Sequence, residues 1–384
     1  MNHKSLIIVS PHNWYDHVKT NKINRPLKIV EQYYNKKLFK NVIIVNRIHP
    51  NRIINIKENE RQLIKRGLLF NLFFDNKGEV YYLEHCLPFG KLESWALPPI
   101  FKQIIEKLNL NNIVLWVFDP KSVYLFNKIH ATKIFDAYDD WSLSPLFQSK
   151  KRHIKYINKG YDLAKDIADI ITTNTDYMKE KFDRTNGAVF VINNTSSLEC
   201  QDIEIPQKVI QKNNGTQTVG YIGNIHERID LNILENLLTS FPKTNFEFIG
   251  KNDYSSDEIN ILISKYKNIK LSGPVPYSML PKYIVNFDAC IVPHIVSKYT
   301  LSQDSMKIYD FLTFGKPIVS TSIPPTDKLS DLIYIANSPE EFISQLKLAL
   351  NEKDTRLVKN RINYMKQNNW ESKAKYIFSL LQEV

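Results

Sequence analysis

SQDSMKIYDFLTFGKPIVST, residues 302–321, is the stretch from which this chain's fold can be read. Lys307–Phe314 reads as a helix that stops at Gly315, and Lys316 leads into a buried strand, Pro317–Ser320. Gly315 suits the first residue past a helix, where a positive φ is needed. Lys307 and Asp310 are three apart and so share a helix face. On that spacing alone two readings stand. The pair is either an exposed salt bridge on a packed helix, or Lys307 serves a diphosphate while Asp310 accepts from ribose hydroxyls.

The same unit of helix, turn and strand recurs outward. Downstream of a polar, weakly periodic stretch, 193–217, strands are expected at Val219–Ile222, Phe246–Ile249, Ile269–Leu271 and Ala289–Val292. Helices are expected at Leu231–Leu238, Glu258–Ser264, Met279–Val285, Glu340–Leu350, Arg356–Met365 and Glu371–Leu381. Upstream, the strands are Leu6–Val9, Val42–Val45, Val80–Leu83, Ile113–Phe118, Lys133–Phe135, Ile170–Thr172 and Val189–Ile192, with helices at Pro98–Leu108 and Lys150–Ala168. Such alternation predicts α/β architecture with two doubly wound domains. The boundaries read are 1–200 with a returning helix in 370–384, a linker at 201–217, and 218–369. Ligands of such sheets bind beyond the carboxyl ends of the strands, so residues just after strands are the informative ones.

Bulk properties agree. The chain has 384 residues, too many for one ordinary core, and its 43% hydrophobic content excludes disorder. Lysines and arginines number 51 against 40 acidic residues, a net +11, which suits nucleic acid, an anionic membrane or phosphorylated small molecules. No nucleic-acid recognition motif is present. Cys86, Cys200 and Cys290 are far apart and in no metal-ligand spacing, as expected in a reducing cytoplasm. Leu6–Val9 reads as a first strand rather than a signal peptide, and no run approaches the roughly 18 apolar residues of a span. Membrane contact is therefore expected to be peripheral, at the inner face. Lys150, Lys151, Arg152, Lys155 and Lys159 form either such a contact or a solvated face.

Gly223 follows a strand directly, where a backbone passing close to a diphosphate has no room for a side chain; a plain strand-to-helix turn has the same signature. Arg228 offers a guanidinium for bidentate pairing, and Asp230 reads as a helix N-cap. Gly250-Lys251 and Gly273-Pro274-Val275-Pro276 lie at the same level, as does His294, which is either a ligand contact or a satisfied core histidine. In the first half Asp136, Asp139 and Asp140 crowd a strand end beside Tyr138 and Trp141. Mutual repulsion would raise one pKa and make Asp139 or Asp140 a general base; capping of the next helix is the competing reading.

KIYDFLTFGKPIVST (307–321), VGYIGNIHERIDLNIL (219–234) and GPVPYSMLPKYIVNFDACIVP (273–293) together resemble the donor-domain signature of GT-B glycosyltransferases. The likeness is to the bacterial group that includes teichuronic-acid and other surface-polysaccharide enzymes. FDAYDDW (135–141), ADIITTNTDYMKEKF (168–182) and VFVINN (189–194) match weaker landmarks in the same order. The resemblance implies a GT-B fold: two Rossmann-like domains facing across a cleft, with the C-terminal helix returning to the N-terminal, acceptor-side domain. It implies transfer of a hexose from a nucleoside-diphosphate sugar to a saccharide or lipid-linked acceptor in surface polysaccharide synthesis. It places Gly223, Asn224, Arg228, Lys251, Pro274, Val275, His294, Ser305, Lys307 and Asp310 at the donor, His12 and Trp14 on the acceptor side, and Asp139 or Asp140 in catalysis. No metal and no cofactor beyond the nucleotide sugar is expected; Arg228, Lys307 and helix N-termini would carry the diphosphate charge. One departure stands out. Many retaining members hold two acidic residues eight apart; Asp310 matches the second, but Ser302 occupies the first. A catalytically inactive binding subunit and a sugar-nucleotide epimerase are the alternatives.

Overall fold

The chain is described from a computed structural model, which describes residues 4–11, 25–35, 38–48, 61–75, 80–88, 90–183, 188–198 and 215–383. His12, Trp14 and Cys200 lie outside the described residues. The chain divides into two compact units, Met1–Ile192 with Trp370–Val384, and Asn193–Asn369.

The first unit contains β1 (Ser5–Val9), α1 (Arg25–Asn35), β2 (Asn41–Arg47), β3 (Gln62–Arg66), β4 (Phe70–Asp75), β5 (Val80–His85), α2 (Lys91–Lys107) and β6 (Ile113–Val117). A 3-10 turn, Pro120–Asn127, precedes β7 (Thr132–Ala137), α3 (Lys151–Ile167), β8 (Ile170–Thr173), α4 (Asp176–Lys181) and β9 (Ala188–Val191). The strands form one sheet in the order β3-β4-β5-β2-β1-β6-β7-β8-β9. It is parallel except at β3–β4 and β4–β5, which pair antiparallel. Each β1 and β6 side chain is buried, as expected of strands covered on both faces. The β3–β4 hairpin and α1 are additions to the expected elements. The helix expected from Pro98 starts seven residues earlier, at Lys91, and carries Pro98 and Pro99 inside it.

The second unit runs β10 (Thr218–Ile222), α5 (Leu231–Ser240), β11 (Asn245–Ile249), α6 (Glu258–Lys265), β12 (Ile269–Gly273), α7 (Leu280–Ile284), β13 (Ala289–Val292), α8 (Lys298–Leu301), α9 (Met306–Thr313), β14 (Ile318–Ser320), β15 (Tyr334–Ile335), α10 (Pro339–Leu350) and α11 (Thr355–Gln367). Its sheet, β12-β11-β10-β13-β14-β15, is parallel throughout. Phe246, Phe248, Tyr221 and Ile233 fill one side of the sheet and Ile308, Leu312 and Ile318 the other. The closing helix α12 (Trp370–Leu380) belongs to the first unit, where Tyr33 of α1 donates to the Ala374 carbonyl at 3.1 Å. Residues 193–198 belong with the second unit, although the sequence reading placed them in the first domain.

Residues 302–321 fold as read. Gly315 has φ +65°, and its N–H donates to Leu312 O at 2.9 Å while Lys316 N–H donates to Phe311 O at 3.2 Å. This pair of bonds closes α9 in a Schellman arrangement. Lys316 then turns inward, and its ammonium donates to the carbonyls of Val285 and Phe287 at 2.8 and 2.7 Å. A Cβ on Gly315 would lie 2.7 Å from Val358 Cγ1 of α11. Gly315→Ala is therefore expected to lower unfolding free energy by about 1–3 kcal/mol, through both the left-handed backbone and the clash. Urea unfolding monitored by far-UV circular dichroism checks this.

Candidate functional site

Successive strands of the second sheet end in turns at one edge, and two glycines let those turns pack together. Gly223 follows β10 with φ +105°. A Cβ there would lie 3.1 Å from Lys307 Cε and 3.3 Å from Nζ, so the bare turn lets the lysine cross it. Gly250 follows β11, and a Cβ on it would strike the Gly223 carbonyl oxygen at 2.0 Å. Gly223 N–H donates to Ile249 O, and Gly250 N–H to Gly273 O, each at 2.9 Å.

Over this turn the chain gathers positive charge. Lys307, on the first turn of α9, donates to Tyr221 Oη at 3.1 Å and lies 4.7 Å from that ring's centroid. His294 Nε2 is 3.4 Å from the ammonium and 3.1 Å from Tyr221 Oη. Arg228 donates through Nε to His226 Nε2 at 2.8 Å and through Nη1 to Gln303 Oε1 at 2.9 Å. All the partners of both cations are neutral or aromatic groups. Among the described residues neither Arg228 nor Lys307 has a carboxylate partner.

The electrostatics follow. Burial, then repulsion from Arg228, pushes the Lys307 pKa well below the ordinary lysine value, opposed by Asp310. Burial and the two cations hold His226 down at about 4. The same causes, burial first, lower His294 well below its usual value. Two cations that no carboxylate bonds among the described residues, beside histidines kept neutral, form a site short of negative charge. The start of α9 adds to it, because its N-cap, Ser305, makes no side-chain cap bond.

The other sequence-selected residues sort differently. Asp310 is buried and accepts from Ser196 at 2.6 Å and Tyr277 at 2.5 Å, both on Oδ1. Burial raises its pKa to about 6. It makes no exposed salt bridge with Lys307, and Ser196 and Tyr277 engage one oxygen of its carboxylate, Oδ1. Ser302 is fully buried, its hydroxyl donating to Tyr299 O at 2.7 Å. Lys251 is 69% exposed in its side chain and pairs with Asp253 at 2.5 Å, so its ammonium is not part of the cluster. Asn224 is exposed, and its carbonyl accepts from Tyr221 Oη at 3.1 Å. Pro274 is exposed, whereas Val275 packs with Tyr277 against the core. Asp230 caps α5 as read, accepting from Asn232 and Ile233 N–H.

Sequence reasoning missed His226, Gln303, Tyr221 and Asp304. Asp304 is buried, accepts from Tyr309 at 3.0 Å, and holds the Asn194 N–H, so it ties residues 193–198 to the start of α9. Gln303 and Tyr221 act through partners 75 and 86 residues away, and Asp304 holds Asn194 110 residues away, so local spacing does not mark them.

In the first unit the expected crowding of carboxylates is resolved by separate partners. Asp136 is fully buried and pairs with Arg25, Nε to Oδ1 at 3.0 Å and Nη2 to Oδ2 at 3.1 Å. Asp140 caps the turn at Ser142 and pairs with Lys181 at 2.6 Å, so the capping reading holds for it and its carboxylate is occupied. The Asp139 carbonyl accepts from Tyr161 Oη at 3.0 Å. A different polar group lies past β6. Asp119 is buried; Oδ1 accepts from Lys121 N–H at 3.0 Å, while Oδ2 lies 3.6 Å from Lys121 Nζ without a hydrogen bond. Tyr124 Oη and His153 Nε2 are likewise buried without hydrogen-bond partners among the described residues. Glu93, paired with Arg47, interacts with Asp119, and burial raises the pKa of both carboxylates.

No family model matches the chain. Over 168 residues it is 26% identical to TuaH of Bacillus subtilis (strain 168), provisionally named a teichuronic acid biosynthesis glycosyltransferase; the match spans 42% of this chain and 42% of that protein. Among solved structures, Anabaena HepE in complex with UDP-glucose matches over 99% of this chain and 100% of its own, with TM-score 0.64 at 14% identity. TarM of S. aureus, in complex with fondaparinux, alpha-GlcNAc-glycerol and UDP, matches over 98% and 99%, with TM-score 0.59 at 12% identity. An alpha,alpha-trehalose-phosphate synthase (UDP-forming) of Burkholderia xenovorans matches over 99% and 100%, with TM-score 0.64 at 9% identity. The chain has the GT-B fold, and in sequence it is similar to a glycosyltransferase of bacterial surface-polysaccharide synthesis.

Proposed function

We propose that the chain is a glycosyltransferase that takes a sugar from a nucleoside-diphosphate sugar held by the second unit and passes it to a saccharide or lipid-linked acceptor. One observation carries this reading: Lys307 crosses the bare Gly223 turn within electrostatic reach of Arg228, and neither cation has a carboxylate hydrogen-bond partner among the described residues. A diphosphate is the anion whose size and charge suit two cations, a glycine turn and a helix start. The UDP ligands named for HepE and TarM support a uridine nucleotide in this role.

In this reading the side-chain-free turn at Gly223 leaves room for the diphosphate and the uncapped start of α9 orients it. Arg228 and Lys307 neutralise the charge that grows on it as the bond to the sugar breaks. Pro274 and Val275 would meet the base through their main chain. Asp310 acts by fixing Tyr277 and Ser196. Asp119 replaces Asp139 and Asp140 as the acceptor-hydroxyl contact, because its Oδ2 is buried and still has an accepting position free. Burial of Ser302, where many retaining relatives carry an acidic residue, favours as a second reading a subunit that binds the nucleotide sugar without turning it over. Donor consumption by the purified protein separates the two.

In a thermal-shift screen of UDP-, GDP-, dTDP- and CMP-sugars, one nucleoside-diphosphate class should raise the melting temperature. Lys307→Met should abolish that shift, and because the empty fold then no longer carries a desolvated ammonium, the unliganded variant should melt about 2–4 °C higher than the parent. No shift with any nucleotide would remove the reading's main support.

Binding should also take up protons. A lysine with a lowered pKa is partly neutral in the empty protein at alkaline pH, and a bound diphosphate restores its charge. Affinity should thus fall as pH rises toward the ordinary lysine value. At about pH 8.5, where the nucleotide phosphates are fully ionised, titration calorimetry in two buffers of different ionisation heat should show net uptake; net release would contradict the site. Asp119→Asn should slow transfer about 100-fold or more with the nucleotide shift intact; unchanged turnover would exclude Asp119 from the reaction.

A further inference from the structure

The carboxyl edge of the first unit's parallel sheet exposes large apolar side chains that neither the core nor the anion site uses. Leu68 is 92% exposed and Leu69 37%, at the tip of the β3–β4 hairpin. In the first two turns of α2, Leu92 is 50% and Trp95 77% exposed, and just before α3, Leu146 is 75% exposed. Topology brings these segments to one edge. Phe70, which opens β4, pairs with His85, which closes β5, so the hairpin tip stands at the carboxyl end of β5. There Cys86 N–H donates to Leu69 O at 3.3 Å. The loop from β5 leads directly into α2. Leu146 and the start of α3 follow β7, which runs parallel to β6, β1, β2 and β5. Tyr156 of α3 reaches back to Lys121 O, past β6, at 3.4 Å. From β5 to β7 the edge spans about 20 Å.

The same edge is cationic. Arg66 and Lys91 flank the apolar tips, and Lys150, Lys151, Arg152, Lys155 and Lys159 are exposed around the start of α3. Lys151, Lys155 and Lys159 recur every four residues and form one stripe. None of these seven has a carboxylate partner among the described residues. The acidic groups past β5 and β6, Glu93 and Asp119, are buried.

We infer that this edge is a docking surface for an anionic lipid bilayer, with Leu68, Leu69, Leu92, Trp95 and Leu146 entering the headgroup region between lysines and arginines that lie on it. The apolar side chains sit on separate loop tips rather than on one continuous face. A deformable bilayer receives such scattered tips, and Trp favours the depth where ring and headgroup meet. Cations without carboxylate partners among the described residues, at both the β5 and the β7 end of the edge, suit a surface of diffuse negative charge. Among the described residues no helix is long and apolar enough to cross a membrane, so the contact is interfacial. The inference deepens the lipid-linked acceptor reading above, but its test needs neither nucleotide nor acceptor.

The test is sedimentation of the full chain with phosphatidylcholine vesicles, with and without phosphatidylglycerol. Binding is expected only with the anionic lipid, weakening as salt is raised. Tryptophan emission should shift to the blue on binding, and Trp95→Phe should remove that shift. Leu68→Asp with Trp95→Asp, and separately Lys151→Glu with Lys155→Glu, should each weaken binding by roughly tenfold or more. The far-UV circular dichroism spectrum and cooperative thermal unfolding of both variants should match those of the parent, which shows that they are folded. Absence of binding to anionic vesicles, equal binding to neutral ones, or apolar variants that bind like the parent would each overturn the inference. Vesicle binding without any nucleotide shift would leave it standing and remove only the donor reading.

Discussion

Two cations that no carboxylate pairs with among the described residues set the terms for the second unit. Bringing Arg228 and Lys307 together costs stability, since each disfavours the charge on the other and both lose water. A fold keeps such an arrangement only if other contacts over-determine it. Here the Schellman closure at Gly315, the inward turn of Lys316 and the hold of Asp304 on Asn194 fix both ends of α9, and with it the lysine. Gly223 and Gly250 remove the side chains that would keep the turns and the lysine apart. The empty site is thus a strained electrostatic state, ready to be relieved by an anion.

The histidines belong to the same logic. His226 stays neutral because it is partly buried beside Arg228, and in that state its Nε2 can accept from the guanidinium. A protonated imidazole there would lose that bond and add a third charge. His294 fills the space behind Lys307 without competing for an anion. The site therefore holds its positive charge in the two side chains with high intrinsic pKa values and withholds it from those that titrate near neutrality.

Much of this was legible from the sequence, for reasons that differ by element. Gly315, Gly223, Lys307 and Arg228 were found because tight turns and helix ends demand particular residues at particular offsets, and those demands are local. The parallel strands were legible because burial on both faces leaves short β-branched runs. The β3–β4 hairpin was missed because Gln62–Arg66 is half exposed and lacks such a run. Helix α2 was read seven residues short because Pro98 and Pro99 look like a start, yet packing of Leu97, Phe101 and Ile104 carries the helix through them. Asp140 and Asp310 were recognised as special, but the partners that hold them were not. A carboxylate's work depends on its partners, and Lys181, Ser196 and Tyr277 are 41, 114 and 33 residues away. The same distance in sequence hid the pairing of Arg228 with Gln303 and the approach of Glu93 to Asp119.

A crystal structure of the protein grown with UDP bears most directly on the central claim. The account predicts diphosphate density against the Gly223 turn, within hydrogen-bonding distance of the Arg228 guanidinium and the Lys307 ammonium, with Lys307 drawn away from Tyr221. Nucleotide bound elsewhere, with Arg228 still held by His226 and Gln303 and Lys307 unmoved, would contradict it.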